Sequence, residues 1–261
     1  IFRKYKIINK TGIIGFPETF NEMYISMWSD SDIGYSLDDF AGSDTLLNMV
    51  YTYNAYELDE VYEPHPPPAV GFTLLKGPTI AGNNILAMTA SYYYGRITVD
   101  PWWWTYAELL YLLMQGRDGF SGEFFTNPAT GLSTTFALSG NPINGEGWVD
   151  GLLEEPGLRR IGLGSGPIQM APGDTQEVVI AEIAALGADR LHSVKLLRFY
   201  TAMVRDAFNS GLEFVVPPKP PTPEVSLDDA DRVTILNWGG EFFINRLNRK
   251  LQLRRIQVPG L

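Results

Sequence analysis

The sequence predicts a mainly β protein: an antiparallel β-sandwich with one docked C-terminal amphipathic helix and one short internal helix. Three observations predict it. Glycine and proline are abundant, at 26 and 18 residues, and they cluster between short apolar runs. Those runs are rich in aromatic and β-branched residues. Helical spacing marks two stretches, so helices add to the sheets rather than frame the fold.

The elements follow in order. Phe2–Asn9, Met23–Ser29, Thr45–Tyr53, Ala69–Leu75 and Ile85–Tyr93 read as strands, with turn chemistry at Asn9-Lys-Thr-Gly12 and Gly82-Asn-Asn84. Pro64-His-Pro-Pro-Pro68 is a stiff extended connector, because proline rings fix φ and remove amide donors. A short helix is expected at Tyr106–Gln115: Thr105 and Glu108 have capping-box spacing, and Gly116 is placed to end it. Phe120–Gly147 is loop-rich, with one strand at Thr134–Leu138. Gly166–Met170 and Thr175–Ala185 read as a hairpin around Ala171-Pro-Gly-Asp174.

The clearest helix is Arg190–Ser210, with Asp189 as N-cap and Gly211 as stop. Leu196, Phe199, Tyr200, Met203, Ala207 and Phe208 mark the face expected to dock on the sheet. Val216-Pro-Pro-Lys-Pro-Pro-Thr-Pro-Glu224 is a semi-rigid linker. It divides the chain into a sandwich module over 1–215, a linker over 216–223 and a second β-segment over 224–261. Glu224–Leu227 and Arg232–Trp238 read as strands of that segment, whose tail holds five of the 20 Lys and Arg residues. Because Ile1 already opens a strand, the chain is expected to be part of a longer multidomain protein.

A formal charge of −10 argues against nucleic acid and anionic lipid as partners. No apolar run approaches the roughly 18–20 residues of a membrane-spanning helix, so no membrane insertion is expected. The absence of cysteine excludes disulfide, Cys-rich zinc and thiol chemistry. The two histidines, His65 and His192, lie far apart, which disfavours a catalytic zinc. Gly162-Leu-Gly-Ser-Gly166 is neither a nucleophile elbow nor a phosphate loop.

Three constellations could carry function. Asp30, Asp32, Asp38, Asp39 and Asp44 place five carboxylates within fifteen residues. Such crowding is relieved by a hard cation with oxygen ligands, and Ca²⁺ is the expected structural metal. The spacing lacks the terminal glutamate of an EF-hand, and a solvated acidic turn is the other reading. Trp102, Trp103, Trp104 and Tyr106 form an aromatic segment suited to stacking on sugar rings, or else to core packing. Asp118, Glu123 and Asp150 flank it and are candidates for paired-carboxylate glycoside hydrolysis, which needs two such groups ~5–10 Å apart.

Beyond these residues, Met23–Trp28 with the acidic loop, Thr45–Asn54, Pro67-Pro-Ala-Val-Gly-Phe72 with Lys76-Gly-Pro78, and Asp174–Phe208 resemble a recurring module of very large secreted proteins. These belong to Bacteroidota, Ignavibacteria and related phyla and are exported by the type IX secretion system. The closest likeness lies in Gly173-Asp-Thr-Gln-Glu-Val-Val179 and Gly187-Ala-Asp-Arg-Leu-His-Ser-Val194. In that group a proline-rich linker and fibronectin type III-like domains follow, and Pro217–Trp238 is similar to such a start. The tail after Trp238 departs from it. The resemblance implies an extracellular or cell-surface location, and no established chemistry transfers with it. The expected function is a calcium-stabilised surface module engaging polysaccharide or another extracellular surface; a glycoside hydrolase and a purely structural adhesin spacer are the alternatives.

Overall fold

Residues 1–94, 107–211, 224–230, 233–239 and 257–259 are described by the structure, a computed structural model. The chain divides into two units, Ile1–Glu213 and Phe214–Leu261. The first contains, in order, β1 (Phe2–Ile8), the single turn α1 (Thr11–Ile14), β2 (Phe20–Asp30), β3 (Asp39–Asp44), β4 (Met49–Asn54) and β5 (Ala69–Lys76). The two-residue strands β6 (Thr79–Ile80) and β7 (Asn84–Ile85), β8 (Ala90–Tyr94), α2 (Ala107–Met114), β9 (Phe125–Thr126) and β10 (Ser133–Thr134) follow. The long strands β11 (Arg160–Met170) and β12 (Thr175–Ala185) and the helix α3 (Arg190–Asn209) complete it.

Two antiparallel sheets form the sandwich, one in the order β1-β12-β5-β4-β3 and the other β2-β11-β8. Period-two alternation decides what each strand buries. Val50, Phe72, Leu74, Val178 and Ile180 of the larger sheet meet Ile161 and Leu163 of the smaller, with Trp148 and Met88 between them. The other face of β4 carries Met49, Tyr51 and Tyr53 against Val194 and Leu197 of α3. On the smaller sheet, α2 packs Leu113 onto Tyr92. The expected sandwich with one docked C-terminal helix and one short internal helix is therefore the architecture found.

Several local expectations need correction. Thr45–Asn48 is the turn of the β3–β4 hairpin rather than strand: Asp44 Oδ1 accepts from the Leu46 and Leu47 amides at 3.1 Å each, and Asn48 turns left-handed at φ 47°. The acidic stretch is correspondingly half strand, since Asp39–Asp44 is β3. The Ala171–Asp174 turn exists, closed by Asp174 N to Ala171 O at 3.0 Å. Its flanking strands do not form a hairpin, because β11 pairs with β2 and β8 whereas β12 pairs with β1 and β5. The chain crosses from one sheet to the other there. The Thr134–Leu138 strand shrinks to Ser133–Thr134.

The docking face of α3 is also not the one its apolar pattern marks. Ser193, Val194, Leu197 and Thr201 are buried, whereas Phe199 and Met203 remain 58% and 54% exposed. Small residues let the helix approach the sheet: Ser193 Oγ donates to Pro67 O at 2.9 Å, and a Cβ on Gly71 would lie 3.2 Å from the Leu197 side chain. Arg198 and Arg205 reach in from its sides, to Asn141 Oδ1 at 2.7 Å and Leu74 O at 3.0 Å. The helix ends are as expected, with Asp189 Oδ1 accepting from the His192 amide at 2.6 Å and Gly211 at φ 72°.

The second unit contains β13 (Glu224–Ala230), β14 (Val233–Gly239) and β15 (Gln257–Pro259), an antiparallel sheet in that order. Among the described residues no helix is long and apolar enough to cross a membrane.

Candidate functional site

Trp102, Trp103, Trp104 and Tyr106 lie outside the described residues. The elements on either side of them are described, however: β8 ends at Tyr94 and α2 begins at Ala107. Both line a groove of about 560 Å³ on the outer face of the smaller sheet. That volume falls within the ~300–1,000 Å³ typical of small-molecule sites.

Its construction follows from strand periodicity. Ser26, Trp28 and Asp30 alternate along β2, Tyr92 and Tyr94 along β8, and Arg160 stands on β11 between them. Leu110 and Met114 of α2 supply the remaining wall. Across the sheet the register reads Trp28–Gly162–Tyr92 in one row and Asp30–Arg160–Tyr94 in the next. Gly162 and Gly164 leave room on the central strand for the Tyr92 ring and the Met114 carbonyl to lie directly over its backbone. A Cβ on Gly162 would lie 2.1 Å from the Tyr92 ring, and one on Gly164 would lie 2.4 Å from the Met114 carbonyl. The glycine run thus has a packing role that its sequence does not declare.

Polar groups in the groove are ordered. Ser26 Oγ donates to Leu163 O at 2.8 Å, so the Tyr92 hydroxyl, 2.8 Å away, is the donor to Ser26. Trp28 Nε1 donates to the Tyr94 hydroxyl. Burial raises Tyr92 and pushes Tyr94 up to about 12, so both phenols stay protonated near neutrality. Arg160 Nε donates to Asp30 Oδ2 at 3.0 Å, and its guanidinium lies 5.9 Å from the centre of the Tyr94 ring. Trp28 is 43% exposed. The groove offers aromatic surface, phenol oxygens and one neutralised ion pair.

The five carboxylates of the acidic stretch do not converge. Asp30 pairs with Arg160 at 3.0 Å, and Asp44 with Arg198 at 3.2 Å. Asp39 and Asp44 begin and end β3, a separation of roughly 17 Å at the strand rise. Asp32 is exposed. Asp38 and Asp39 instead join a residue that pattern reading passed over, Asp59: Asn54 Nδ2 donates to Asp38 Oδ1 at 3.0 Å and to Asp59 Oδ2 at 3.2 Å. Asp39 is fully buried, and burial pushes its carboxyl up to about 8. Among the described residues no three His, Cys, Asp or Glu side chains are gathered as a preformed metal site.

The candidate catalytic carboxylates are held apart from the groove. Asp150 is buried and bound by Arg159, through Nε at 2.8 Å and Nη2 at 3.1 Å, and by the Ala41 amide at 2.7 Å. Asp118 closes its own turn, accepting from Phe120 N and Ser121 N at 3.1 and 2.7 Å. Glu123 is exposed in that same loop, its carbonyl accepting from Asp118 N. Among the described lining residues the groove contains one carboxylate, Asp30. Comparisons with protein-family models, with curated proteins and with solved structures find no match.

Proposed function

We propose that this chain is a secreted, non-catalytic surface module that holds polysaccharide in the groove of the smaller sheet. One observation carries the reading: an aromatic-walled groove whose single described carboxylate is already paired with arginine. A pyranose ring presents an apolar C–H face and a hydroxyl rim. Trp28 supplies a face for the first, and the Tyr94 hydroxyl and the Asp30–Arg160 pair supply partners for the second. Trp102–Trp104 belong to the segment joining two groove elements and are the further candidates for stacking. Among the described residues the groove holds one carboxylate, whereas retaining or inverting hydrolysis uses two. The extracellular setting rests on the resemblance to type IX-exported modules, with the second unit as the start of a fibronectin type III-like domain.

The test is a polysaccharide panel scored for retention and for released reducing ends. Retention without release is expected, with Trp28→Ala lowering affinity roughly tenfold, the scale of one aromatic contact. Release of reducing sugar by the purified chain would overturn the reading. So would retention that Trp28→Ala leaves unchanged.

A further inference from the structure

Asp39 and Asp150 are both buried in the sandwich, and the groups around them differ. Asp150 receives two hydrogen bonds from the Arg159 guanidinium and one from the Ala41 amide, so a charge there is matched. Asp39 opens β3 opposite Asn54 of β4 and has no solvent exposure. Its Oδ2 accepts from the Ile33 amide at 3.0 Å, while its Oδ1 is buried with no hydrogen-bond partner. A carboxylate in that position would be an anion out of water with one neutral donor.

No cation offsets such a charge. Among the described residues, none of the ion pairs includes Asp39. The loop before β3 brings Asp32 and Asp38, and the loop after β4 brings Asp59 and Glu60; all four are acidic. Beyond Asp32, the Asp30–Arg160 pair of the smaller sheet neutralises itself. Asn54 directs its Nδ2 at Asp38 Oδ1 and Asp59 Oδ2, at 3.0 and 3.2 Å, rather than at Asp39. The loop before β11 also packs here, its Gly157 amide donating to the Asp39 carbonyl at 3.2 Å. That loop carries Glu154 and Glu155, and its one cation, Arg159, is engaged by Asp150 and by the Glu155 carbonyl at 2.7 Å. Burial, with Asp38, Asp32 and Asp59 adding to it, pushes the Asp39 carboxyl up to about 8 against the single Ile33 hydrogen bond.

We propose that Asp39 is held as a neutral carboxylic acid in the native fold, which makes the stability of the sandwich a built-in pH switch. In the unfolded chain an aspartate gives up its proton near ~3.9. In the native chain Asp39 does so only above neutrality. Between those limits the native state keeps a proton that the unfolded state has lost. Stability from this residue is therefore full in acid and falls as the pH rises, levelling off above about 8. A carboxylate paired with arginine acts in the opposite sense. The switch is independent of any ligand in the groove.

Urea unfolding of the full chain from about pH 5 to 9, wild type beside Asp39→Asn, tests it. Asparagine keeps the shape of the neutral acid and cannot ionise. The ratio of unfolding constants, wild type over variant, is expected to grow close to tenfold per pH unit between about pH 5 and 7 and to flatten above about 8. A ratio that stays flat over the whole range would overturn the proposal, since an ionised Asp39 gives that result. Carbon-13 NMR of the aspartate carboxyls follows the same proton in the folded chain. One resonance is expected to titrate above about pH 7 in the wild type and to vanish in Asp39→Asn. Its absence from the wild type would sink the idea whether or not the variant folds, and its survival in the folded variant would do the same.

Discussion

Asp150 and Arg159 show how one residue pair fixes a part of the fold that hydropathy does not describe. Both side chains are 2% exposed, and Asp150 also accepts the Ala41 amide of β3, tying the loop before β11 to the larger sheet. Water is excluded, so the charges are held by each other and by these hydrogen bonds. Removing one partner strands the other in the interior. Asp150→Ala and Arg159→Ala are each expected to cost about 3–5 kcal/mol by urea unfolding. The double variant should cost clearly less than their sum, because the stranded charge is then gone. Strict additivity would show the pair to be energetically uncoupled. An acidic residue near aromatics invites a catalytic reading, and at Asp150 the bidentate arginine gives it a structural one.

At the scale of elements, α3 separates what pattern reading captures from what it misses. Its ends are legible because capping chemistry is local: Asp189 and Gly211 do what their residue types allow. Its docking face is not, because Ser193 and Thr201 are buried for their small size while the half-buried Arg198 and Arg205 reach in from the sides, and neither property registers as apolar. Leu197→Ala is accordingly expected to cost about 2–5 kcal/mol, while Phe199→Ala, at an exposed position, stays within roughly 0.5 kcal/mol. The reverse order in urea midpoints would mean that the apolar stripe is the docked face after all. The groove escaped for a related reason. Alternation within Ser26-x-Trp28-x-Asp30, Tyr92-x-Tyr94 and Gly162-x-Gly164 is readable strand by strand, yet only the register makes the three neighbours. The β11–β12 corner failed similarly, since a four-residue turn specifies a reversal and not which sheet each arm joins.

The whole molecule adds the long-range field. The chain carries −10, while the groove's described charged residues, Asp30 and Arg160, offset each other. A polysaccharide held there gains little from Coulomb attraction inside the groove and meets a repulsive field outside it if it is itself anionic. Short-range stacking and hydrogen bonds scarcely depend on salt, but the outer field does: its reach shrinks from about 20 Å at 0.02 M to about 4 Å at 0.5 M. Neutral glycans should therefore bind with dissociation constants constant within about twofold across that range. Polyanionic glycans should bind more weakly at the low-salt end and recover as salt is added. Calorimetric titration of one neutral and one polyuronate oligosaccharide at both ionic strengths measures each slope. Tighter polyanion binding at low salt would place the contact on a basic surface, and this groove would then not be where the glycan sits.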